Sequence, residues 1–277
     1  MQARLDILGS SGGYPVLGLP CSGYRLSGMG QEILLDCGPG IATALFSASE
    51  ICRLDAVIIS HMHPDHILDL IPLGYGLLNE WVCGGRTSRL SLRVPPGGRR
   101  FLEQFSGLFG HRDWRFGAED RGPGHAALRE ILRKGEDWLL TVFDIEEYVP
   151  GDAWNQGDVR VTTAPADHSI VTAAMRLDAG SRALAYTGDT HWRAELAELF
   201  DGAALLLADA HLSSAKAPGG AHMTPREAGR LARIAGVETL VLCHLGSPTD
   251  GESARAAATA EFGGDIRIAA DERMFLL

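Results

Sequence analysis

The segment HMHPDH, which begins at His61, is the feature of this sequence that most restricts its fold. It directly follows Asp55–Ser60 (DAVIIS), an apolar run bounded by polar residues that is typical of a strand buried on both faces. Imidazoles and a carboxylate at such a strand end pack poorly, but Zn²⁺ binds both groups at about 2.0–2.2 Å. In an extended turn, His61 and His63 can converge on one metal ion. Asp65 and His66 then project toward a second point a few ångströms away.

Three further candidate ligands each follow a predicted strand: His168 after Val159–Ala164, Asp189 after Leu184–Thr187, and His244 after Thr239–Cys243. In a layered α/β sheet, ligands gather outside the strand ends, so segments that are distant in sequence can meet there. A single histidine beside a strand is more often a packed or surface residue. Four such strand ends together favour one shared site.

Strands that alternate with helices predict an α/β layered domain. Additional strands are predicted at Arg4–Leu8, Glu32–Cys37 and Ala204–Ala208, and a short helix is predicted at Ile41–Ser49. A longer helix is predicted to follow Thr224, because this N-cap residue, Pro225 at the first helical position and Glu227 form a capping box, and Gly236 then ends the apolar stripe.

A length of 277 residues allows one large domain or two small ones. The stretch 95–157 is less regular, with helix-like pieces at Arg100–Phe109 and His125–Lys134 but no clean linker. We therefore expect a single domain over residues 1–277, in which 95–157 is a variable, lid-like region.

The charge and cysteine content exclude several classes of protein. Lys plus Arg is 25 and Asp plus Glu is 35, a net charge of −10, which argues against a nucleic-acid coat or a binder of anionic membranes. Five cysteines without a CxxC pair indicate reduced thiols. Residues 1–6 carry a charge pair, and no apolar run approaches about 18 residues, so we expect a cytoplasmic protein without a leader or a membrane span.

Several segments spread over nearly the whole chain match the pattern of one known family: Leu8–Gly13 (LGSSGG), Leu34–Gly38 (LLDCG), the HMHPDH motif, His168, Thr187–Thr190 (TGDT), His222–Thr224 (HMT) and Leu242–Leu245 (LCHL). The chain resembles the metallo-β-lactamase fold and, within it, the ribonuclease Z-like branch. The resemblance implies an αβ/βα four-layer sandwich and a metal-dependent hydrolase. A complete ligand set argues against a scaffold protein that merely kept the fold.

The resemblance also implies a site for two Zn²⁺ ions per chain, which iron or manganese could replace. The implied ligands are His61, His63 and His168 for the first ion, Asp65, His66 and His244 for the second, and Asp189 as a bridge between them. A hydroxide between two such ions is a nucleophile at neutral pH. Asp65 would also be catalytic, because in the family this residue orients or deprotonates the bridging water.

Further polar residues are candidates for supporting roles. The histidine that matches His222 faces the scissile phosphate in this branch and stabilises or protonates the leaving group, beside a helix N-terminus that favours an anion. Asp36 resembles an aspartate that supports the ligand loops, although a turn-capping role fits it equally well. Asp209 and His211 are candidates to line the pocket, and residues 246–251 to form part of its mouth. The simplest expectation for the remaining histidines is a solvent-facing position: His111, His125 and His191.

Two departures from the branch bear on the substrate. Its tRNA-processing members carry a long arm between the motifs that match His168 and Asp189, but only 20 residues (189 − 168 − 1) separate these motifs here, and Leu177–Arg182 predicts a plain hairpin turn. Those members also carry a glutamate three residues before the bridging aspartate, where this chain has Tyr186. Both differences, together with the negative charge, disfavour a tRNA 3′-processing endonuclease.

Two hydrolytic functions remain open. The layout resembles arm-less relatives assigned to cyclic-nucleotide phosphodiesterases, which implies a small, (cyclic) nucleotide-like substrate. The alternative is an acyl hydrolase, such as a thioesterase, a lactonase or a biosynthetic enzyme, with an apolar tunnel lined by Ile71–Trp81 and residues 95–157. For either function the expected partner is a small molecule, without nucleic acid or membrane. A homodimer is carried over from the branch as an analogy.

Overall fold

Two seven-stranded sheets form the centre of the computed structural model, which describes residues 3–47, 51–83, 85–86, 88–108, 137–212, 221–246 and 251–277. The spatial order of the first sheet is β14-β1-β2-β3-β4-β5-β6, with parallel pairs from β3 to β6 and antiparallel pairs elsewhere. Its strands are β1 (Arg4–Gly9), β2 (Gly23–Gly28), β3 (Gln31–Leu35), β4 (Ala56–Ile58), β5 (Leu90–Val94), β6 (Phe143–Glu147) and β14 (Met274–Leu276).

The second sheet has the same mixture of parallel and antiparallel pairs. Its order is β13-β12-β11-β10-β9-β8-β7, parallel from β13 to β10 and antiparallel from β10 to β7. The strands are β7 (Ala153–Gln156), β8 (Val159–Pro165), β9 (Ala173–Ala179), β10 (Arg182–Tyr186), β11 (Leu205–Asp209), β12 (Thr239–Cys243) and β13 (Asp265–Ile268).

Helices cover the outer face of each sheet. Their bounds are α1 (Ile41–Ser47), α2 (Pro64–Ile67), α3 (Leu70–Cys83), α4 (Gly98–Gly107), α5 (Trp138–Val142), α6 (Leu196–Leu199), α7 (Pro225–Ala235) and α8 (Gly251–Thr259), with a short 3-10 turn at Ile51–Arg53. Within the described part of the chain, no helix has both the length and the apolar character that a membrane crossing requires.

The buried apolar residues form three clusters, which define four layers. One cluster lies between the two sheets and contains Leu26 and Leu184. A second packs the first sheet against its helices through residues such as Leu73, and a third packs the second sheet against helices that include α7, through residues such as Leu231. Because each sheet buries both of its faces, its central strands are apolar throughout. The predicted αβ/βα sandwich is confirmed.

The carboxyl ends of strands from both sheets meet at one edge. In the first sheet β3 and β4 run parallel, and in the second β10, β11 and β12 run parallel. Strand β8 points the same way as β10, because both pair antiparallel with β9. Backbone hydrogen bonds from Ala173 N to Ser60 O and from His244 N to Ser10 O, both 3.0 Å, join the two sheets at this edge.

The predicted elements agree with the structure to within a few residues. The helix after Thr224 has the expected capping box, and Gly236 ends it with a left-handed φ of 63°. The strand expected at Asp55–Ser60 is limited to β4, and the helix expected at Arg100–Phe109 is α4. The helix predicted at His125–Lys134 and the end of that predicted at Ile41–Ser49 lie outside the described residues.

The described parts of 95–157 belong to the sandwich itself. They form α4 and α5 and one edge strand of each sheet, β6 and β7. The extent of the domain and a lid role for the rest of this stretch stay predictions.

Leu184→Ala tests the packing between the sheets. Leu184 is fully buried in the central cluster, so we expect the free energy of unfolding to fall by about 2–5 kcal/mol. The measurement is denaturant unfolding. The matched control is Leu276→Ala, since Leu276 is 59% exposed and its loss should change the stability by less than about 0.5 kcal/mol. Equal losses in the two variants would contradict this account of the core.

Candidate metal centre

The structure brings together every predicted metal ligand at the shared strand edge. Each lies in at least one group of side chains whose ligand atoms are within 4.8 Å of one another. The residues are His61, His63, Asp65, His66, His168, Asp189 and His244.

The HMHPDH segment changes its backbone conformation halfway, which directs its side chains to two places. His63 is extended, with φ −72° and ψ 150°, and Pro64 begins α2 at the position where proline favours a helix. His61 and His63 therefore precede the helix, whereas Asp65 and His66 lie within its single turn.

The first group consists of His61, His63 and His168. Nδ1 of His63 lies 3.0 Å from Nε2 of His168. The ring centroid of His61 lies 4.8 Å from that of His63 and 5.0 Å from that of His168. Three imidazoles this close together pack poorly unless their nitrogens share a partner. The group therefore has the composition and spacing of a metal-binding triad.

The second group consists of Asp65, His66, Asp189 and His244, all of them buried. Oδ2 of Asp65 accepts a hydrogen bond from Gly13 N at 2.8 Å and lies 3.1 Å from Nε2 of His244. Oδ2 of Asp189 lies 3.3 Å from Nε2 of His244 and 3.4 Å from Nε2 of His66.

Asp189 links the two groups. The same Oδ2 atom lies 3.6 Å from Nε2 of His61 and 4.0 Å from Nε2 of His168. Gly188 allows the chain to place Asp189 here. Its φ of 58° is left-handed, and a Cβ at this residue would lie only 3.1 Å from Ala173 O, so glycine fits best. One carboxylate therefore faces histidines from both groups.

Hydrogen bonds fix which nitrogen of three of the histidines faces the centre. Nδ1 of His66 donates to Asp36 Oδ2 at 2.8 Å, and Nδ1 of His168 donates to Ala221 O at 2.8 Å. Nδ1 of His61 lies 3.0 Å from Ser60 Oγ, whose hydroxyl donates to Asp36. These three histidines thus turn Nε2 inward, the arrangement by which proteins orient metal-binding imidazoles, whereas His63 presents Nδ1 to His168.

Asp36 supports the ligand loops, as the resemblance implies. It is fully buried, and it accepts hydrogen bonds from Ser60 N and Ser60 Oγ, from His66 and, at 2.6 Å, from the hydroxyl of Tyr186. Both Asp36 and His244 hold a left-handed backbone, with φ of 58° and 55°. Such strain costs about 1–3 kcal/mol per residue and is typical of functional sites.

Unpartnered buried nitrogens show that the site fits metal ions. Nε2 of His61 and Nε2 of His66 are buried and have no hydrogen-bond partner among the described residues. An unpaired buried polar atom costs about 1–3 kcal/mol, which a bound cation would recover. The nitrogen and carboxylate donors are those of zinc and similar divalent metals.

The electrostatics of the centre also favour cations. Burial raises the pKa of Asp189, but His244 and His66 outweigh this effect and hold the pKa well below its usual value. Burial likewise lowers the pKa of His244, but the carboxylates of Asp189, Asp209 and Asp65 raise it to about 10. Burial holds the pKa of His61 well below its usual value. The carboxylates are therefore ionised and need positive charge, which protons or metal ions can supply.

His222 lies beside the centre and is hydrogen-bonded to a carboxylate that sequence analysis did not pair with it. Its Nδ1 lies 2.9 Å from Asp209 Oδ2 and 3.9 Å from Asp189 Oδ2. The ring of His211 stacks on that of His222, with 4.5 Å between the ring centroids. Asp209 lies at the end of its strand, at the same edge as the candidate ligands. This position at a strand end was the signal in the sequence that could have suggested its contact with His222.

The other candidate residues lie outside the centre or outside the described residues. The hydroxyl of Tyr186 donates a hydrogen bond to Asp36. His191 is exposed, as expected. His111, His125 and residues 247–250 of the predicted mouth lie outside the part of the chain that the structure describes.

The comparisons with known proteins place the chain in a family. The sequence profile described as "Beta-lactamase superfamily domain" matches residues 31–112 and 115–245. The chain belongs to this superfamily, and it is a metallo-hydrolase with the metallo-β-lactamase fold.

Individual relatives agree with this assignment. The "Probable metallo-hydrolase YhfI" of Bacillus subtilis is 26% identical over 267 residues, with 96% of each chain covered. Its crystal structure matches with a TM-score of 0.82 and 24% identity over the whole of both chains. Ribonuclease Z of Mycobacterium bovis is 29% identical over 258 residues, covering 87% of this chain and 86% of that protein. The crystal structure of human short-form tRNase Z has a TM-score of 0.70 at 20% identity, with 98% of each chain covered.

Asp36→Asn tests the support of the ligand loops. Asparagine has about the same shape but cannot accept all the hydrogen bonds at Asp36, so we expect the divalent-metal affinity to fall by about 10–100-fold. The measurement is competition for metal with a chromogenic chelator. The control is Asp55→Asn, at the other end of β4, where the carboxylate accepts a hydrogen bond from Glu32 N. An unchanged affinity in Asp36→Asn would contradict the role.

Proposed function

We propose that the chain is a dinuclear zinc hydrolase that cleaves phosphodiester bonds in a small, nucleotide-like substrate. The observation that carries the proposal is the position of Asp189 Oδ2, which lies 3.3–4.0 Å from Nε2 atoms of both ligand groups. A carboxylate shared in this way is the arrangement that a two-metal site requires.

The proposed ligand sets follow the two groups of side chains. His61, His63 and His168 would hold one zinc ion, Asp65, His66 and His244 would hold the other, and Asp189 would be shared between them. Iron or manganese would bind the same nitrogen and oxygen donors. Two bound metal ions supply a hydroxide nucleophile at neutral pH and positive charge beside the phosphate.

Asp65 is proposed to orient the attacking water. Gly13 N and Nε2 of His244 hold its Oδ2 atom at 2.8 Å and 3.1 Å. These neighbours favour the carboxylate form, and the pKa of Asp65 lies below its usual value although burial acts to raise it. An ionised carboxylate in a fixed position can accept a hydrogen bond from the water and take its proton.

His222 is proposed to protonate the leaving group. Because Nδ1 is bound to Asp209, the free nitrogen is Nε2. In the reaction the nucleophile's oxygen forms a new bond to phosphorus, and the bond from phosphorus to the leaving oxygen breaks. The electron pair of the broken bond stays on the leaving oxygen, which takes a proton from Nε2 of His222. The donor in this step is the imidazolium form, which carries a proton on each nitrogen and keeps Nδ1–H on Asp209. Such an acid matters most when the leaving group is a poor one.

Two observations support a small phosphodiester over the other candidate substrates. The acyl alternative needs an apolar wall from Ile71–Trp81, but Leu73, Leu77 and Leu78 of that segment are buried in the core of the first sheet. Between β9 and β10 there is only a tight turn, with Ala179 paired to Arg182, so no arm for tRNA lies there. The proposed partner is therefore a small molecule, with neither nucleic acid nor membrane.

The metal content tests the dinuclear site. After zinc-replete expression we expect about two zinc equivalents per chain by elemental analysis, because the seven predicted ligands form two groups. His63→Ala and His66→Ala should each lose zinc and most of the activity. His191→Ala is the matched control, since His191 is exposed and outside both groups. Wild-type protein without zinc would refute the proposal.

A substrate panel tests the reaction class and the role of His222. We expect the wild-type protein to hydrolyse 2′,3′- or 3′,5′-cyclic nucleotides faster than a thioester or a lactone. His222→Ala should lower kcat on the cyclic nucleotide by about 10²-fold or more, since an alkoxide leaves poorly without a proton. His191→Ala again serves as the control. Preferential hydrolysis of the lactone or thioester would favour the acyl alternative.

A further inference from the structure

His211 is a half-buried histidine beside the metal centre to which the proposed reaction gives no role. It follows the end of β11 by two residues, and its backbone N donates to Asp209 Oδ1 at 3.0 Å. The centroid of its ring lies 4.5 Å from that of His222 and 5.2 Å from that of His244. The ring is therefore in contact with one proposed metal ligand and with the proposed proton donor.

Two glycines make room for this ring. A Cβ at Gly12 would lie 2.8 Å from Nδ1 of His211, and a Cβ at Gly246 would lie 3.2 Å from its Cε1 and Nε2. Neither glycine has a positive φ, so the close approach of neighbouring atoms, and not the backbone conformation, is what favours glycine there. The loops after β1 and β12 thus form a slot that the imidazole of His211 fills.

One nitrogen of the ring contacts the backbone of a proposed ligand. Nδ1 of His211 lies 3.3 Å from the carbonyl oxygen of His244. A carbonyl oxygen can only accept, so Nδ1 carries the hydrogen and donates it. His244 has a left-handed φ of 55°, and its Nε2 faces Asp65 and Asp189. Such a backbone persists only where its surroundings hold it, and the hydrogen bond from His211 is one of the contacts that do so.

The face of the ring makes a separate contact. The rings of His211 and His222 are stacked, with an angle of 29° between their planes. Stacking restricts the plane of His222, because its ring cannot turn toward His211 without a steric clash. This contact needs a flat ring but no donor, whereas the contact with His244 needs a donor but no ring. The two contacts can therefore be removed one at a time.

We propose that His211 is a positioning residue of the metal centre that acts through two parts of its ring. Its Nδ1–H holds the carbonyl of His244, and thereby the place of this ligand in the second group. Its face holds the ring of His222 in the plane that presents Nε2 to the leaving group. The His244 part is independent of the reaction, whereas the His222 part rests on the proposed phosphodiesterase function.

Two substitutions at this position separate the contacts. In His211→Asn the amide nitrogen can take the place of Nδ1 and donate to His244, but the ring is lost. In His211→Phe a flat ring remains, but it has no hydrogen-bond donor. The matched controls are His191→Asn and His191→Phe, because His191 is exposed and outside both ligand groups. Thermal unfolding checks that each variant folds.

The zinc affinity reports on the contact with His244. By competition with a chromogenic chelator, we expect the affinity for the more weakly held zinc equivalent to fall by about 10-fold in His211→Phe and to stay within about twofold of the wild type in His211→Asn. Both controls should bind zinc like the wild type. An unchanged affinity in His211→Phe, or an equal loss in His211→Asn, overturns the His244 part.

The dependence of the rate on the leaving group reports on the contact with His222. In the zinc-loaded enzyme, we expect kcat on 3′,5′-cyclic AMP to fall by about 10-fold in His211→Asn and to stay near the wild-type value in His211→Phe, with little change in KM. Neither variant should lose much activity on bis(p-nitrophenyl) phosphate, because p-nitrophenolate leaves without a proton. Equal losses on the two substrates in His211→Asn, or an equal loss on cyclic AMP in His211→Phe, overturn the His222 part.

Nuclear magnetic resonance keeps the inference testable if a variant does not fold or the proposed function is wrong. In wild-type protein labelled with ¹⁵N-histidine, we expect neutral His211, assigned through its backbone resonances, to carry its hydrogen on Nδ1. A hydrogen on Nε2 instead would overturn the His244 part without any variant. If the tautomer and the zinc affinities are as expected but neither diester is cleaved, the proposed function fails and the His244 part stands.

Discussion

A single buried carboxylate, that of Asp36, joins the two sheets beneath the metal centre. Its partners Ser60 and His66 belong to the first sheet and its ligand segment, and Tyr186 ends a strand of the second sheet. A buried carboxylate is tolerated only when its oxygens are fully hydrogen-bonded, so this interaction requires all three segments at once. The orientation of His66, and through Ser60 that of His61, depends on it. The strained backbone of Asp36 is held by the same contacts.

The centre built on this support is electrostatically incomplete without cations. Inward-facing nitrogens of His61 and His66 lack partners, and ionised carboxylates of Asp65 and Asp189 lie among them. In a protein core such an arrangement would destabilise the fold more than apolar residues of the same size. Stability therefore does not explain this arrangement at the meeting point of the two sheets, but a functional site does. Membership of the β-lactamase superfamily agrees with this conclusion.

The surroundings of His222 differ from the pattern expected for the branch. Tyr186 stands where a glutamate was expected, and its hydroxyl donates a hydrogen bond to Asp36 instead. Asp209, from a neighbouring parallel strand, accepts the hydrogen bond from His222. The carboxyl ends of parallel strands lie side by side, so the same group can be supplied from either. A function is thus better judged from the assembled site than from one position in the sequence.

The sequence by itself determined the class of fold and identified the candidate ligand residues, which the structure brings together. Local patterns carry this information: the apolar run before HMHPDH predicts a buried strand, and the capping box at Thr224 predicts the start of α7. Only the tertiary structure decided which side chains pair, because the partners of Asp36 and His222 come from other strands and no local pattern records them. The pairing of Asp36 with Tyr186 spans 150 residues, and that of His168 with His63 spans 105. Such contacts depend on strand order and on the packing of one sheet against the other, which arise only when the whole chain has folded.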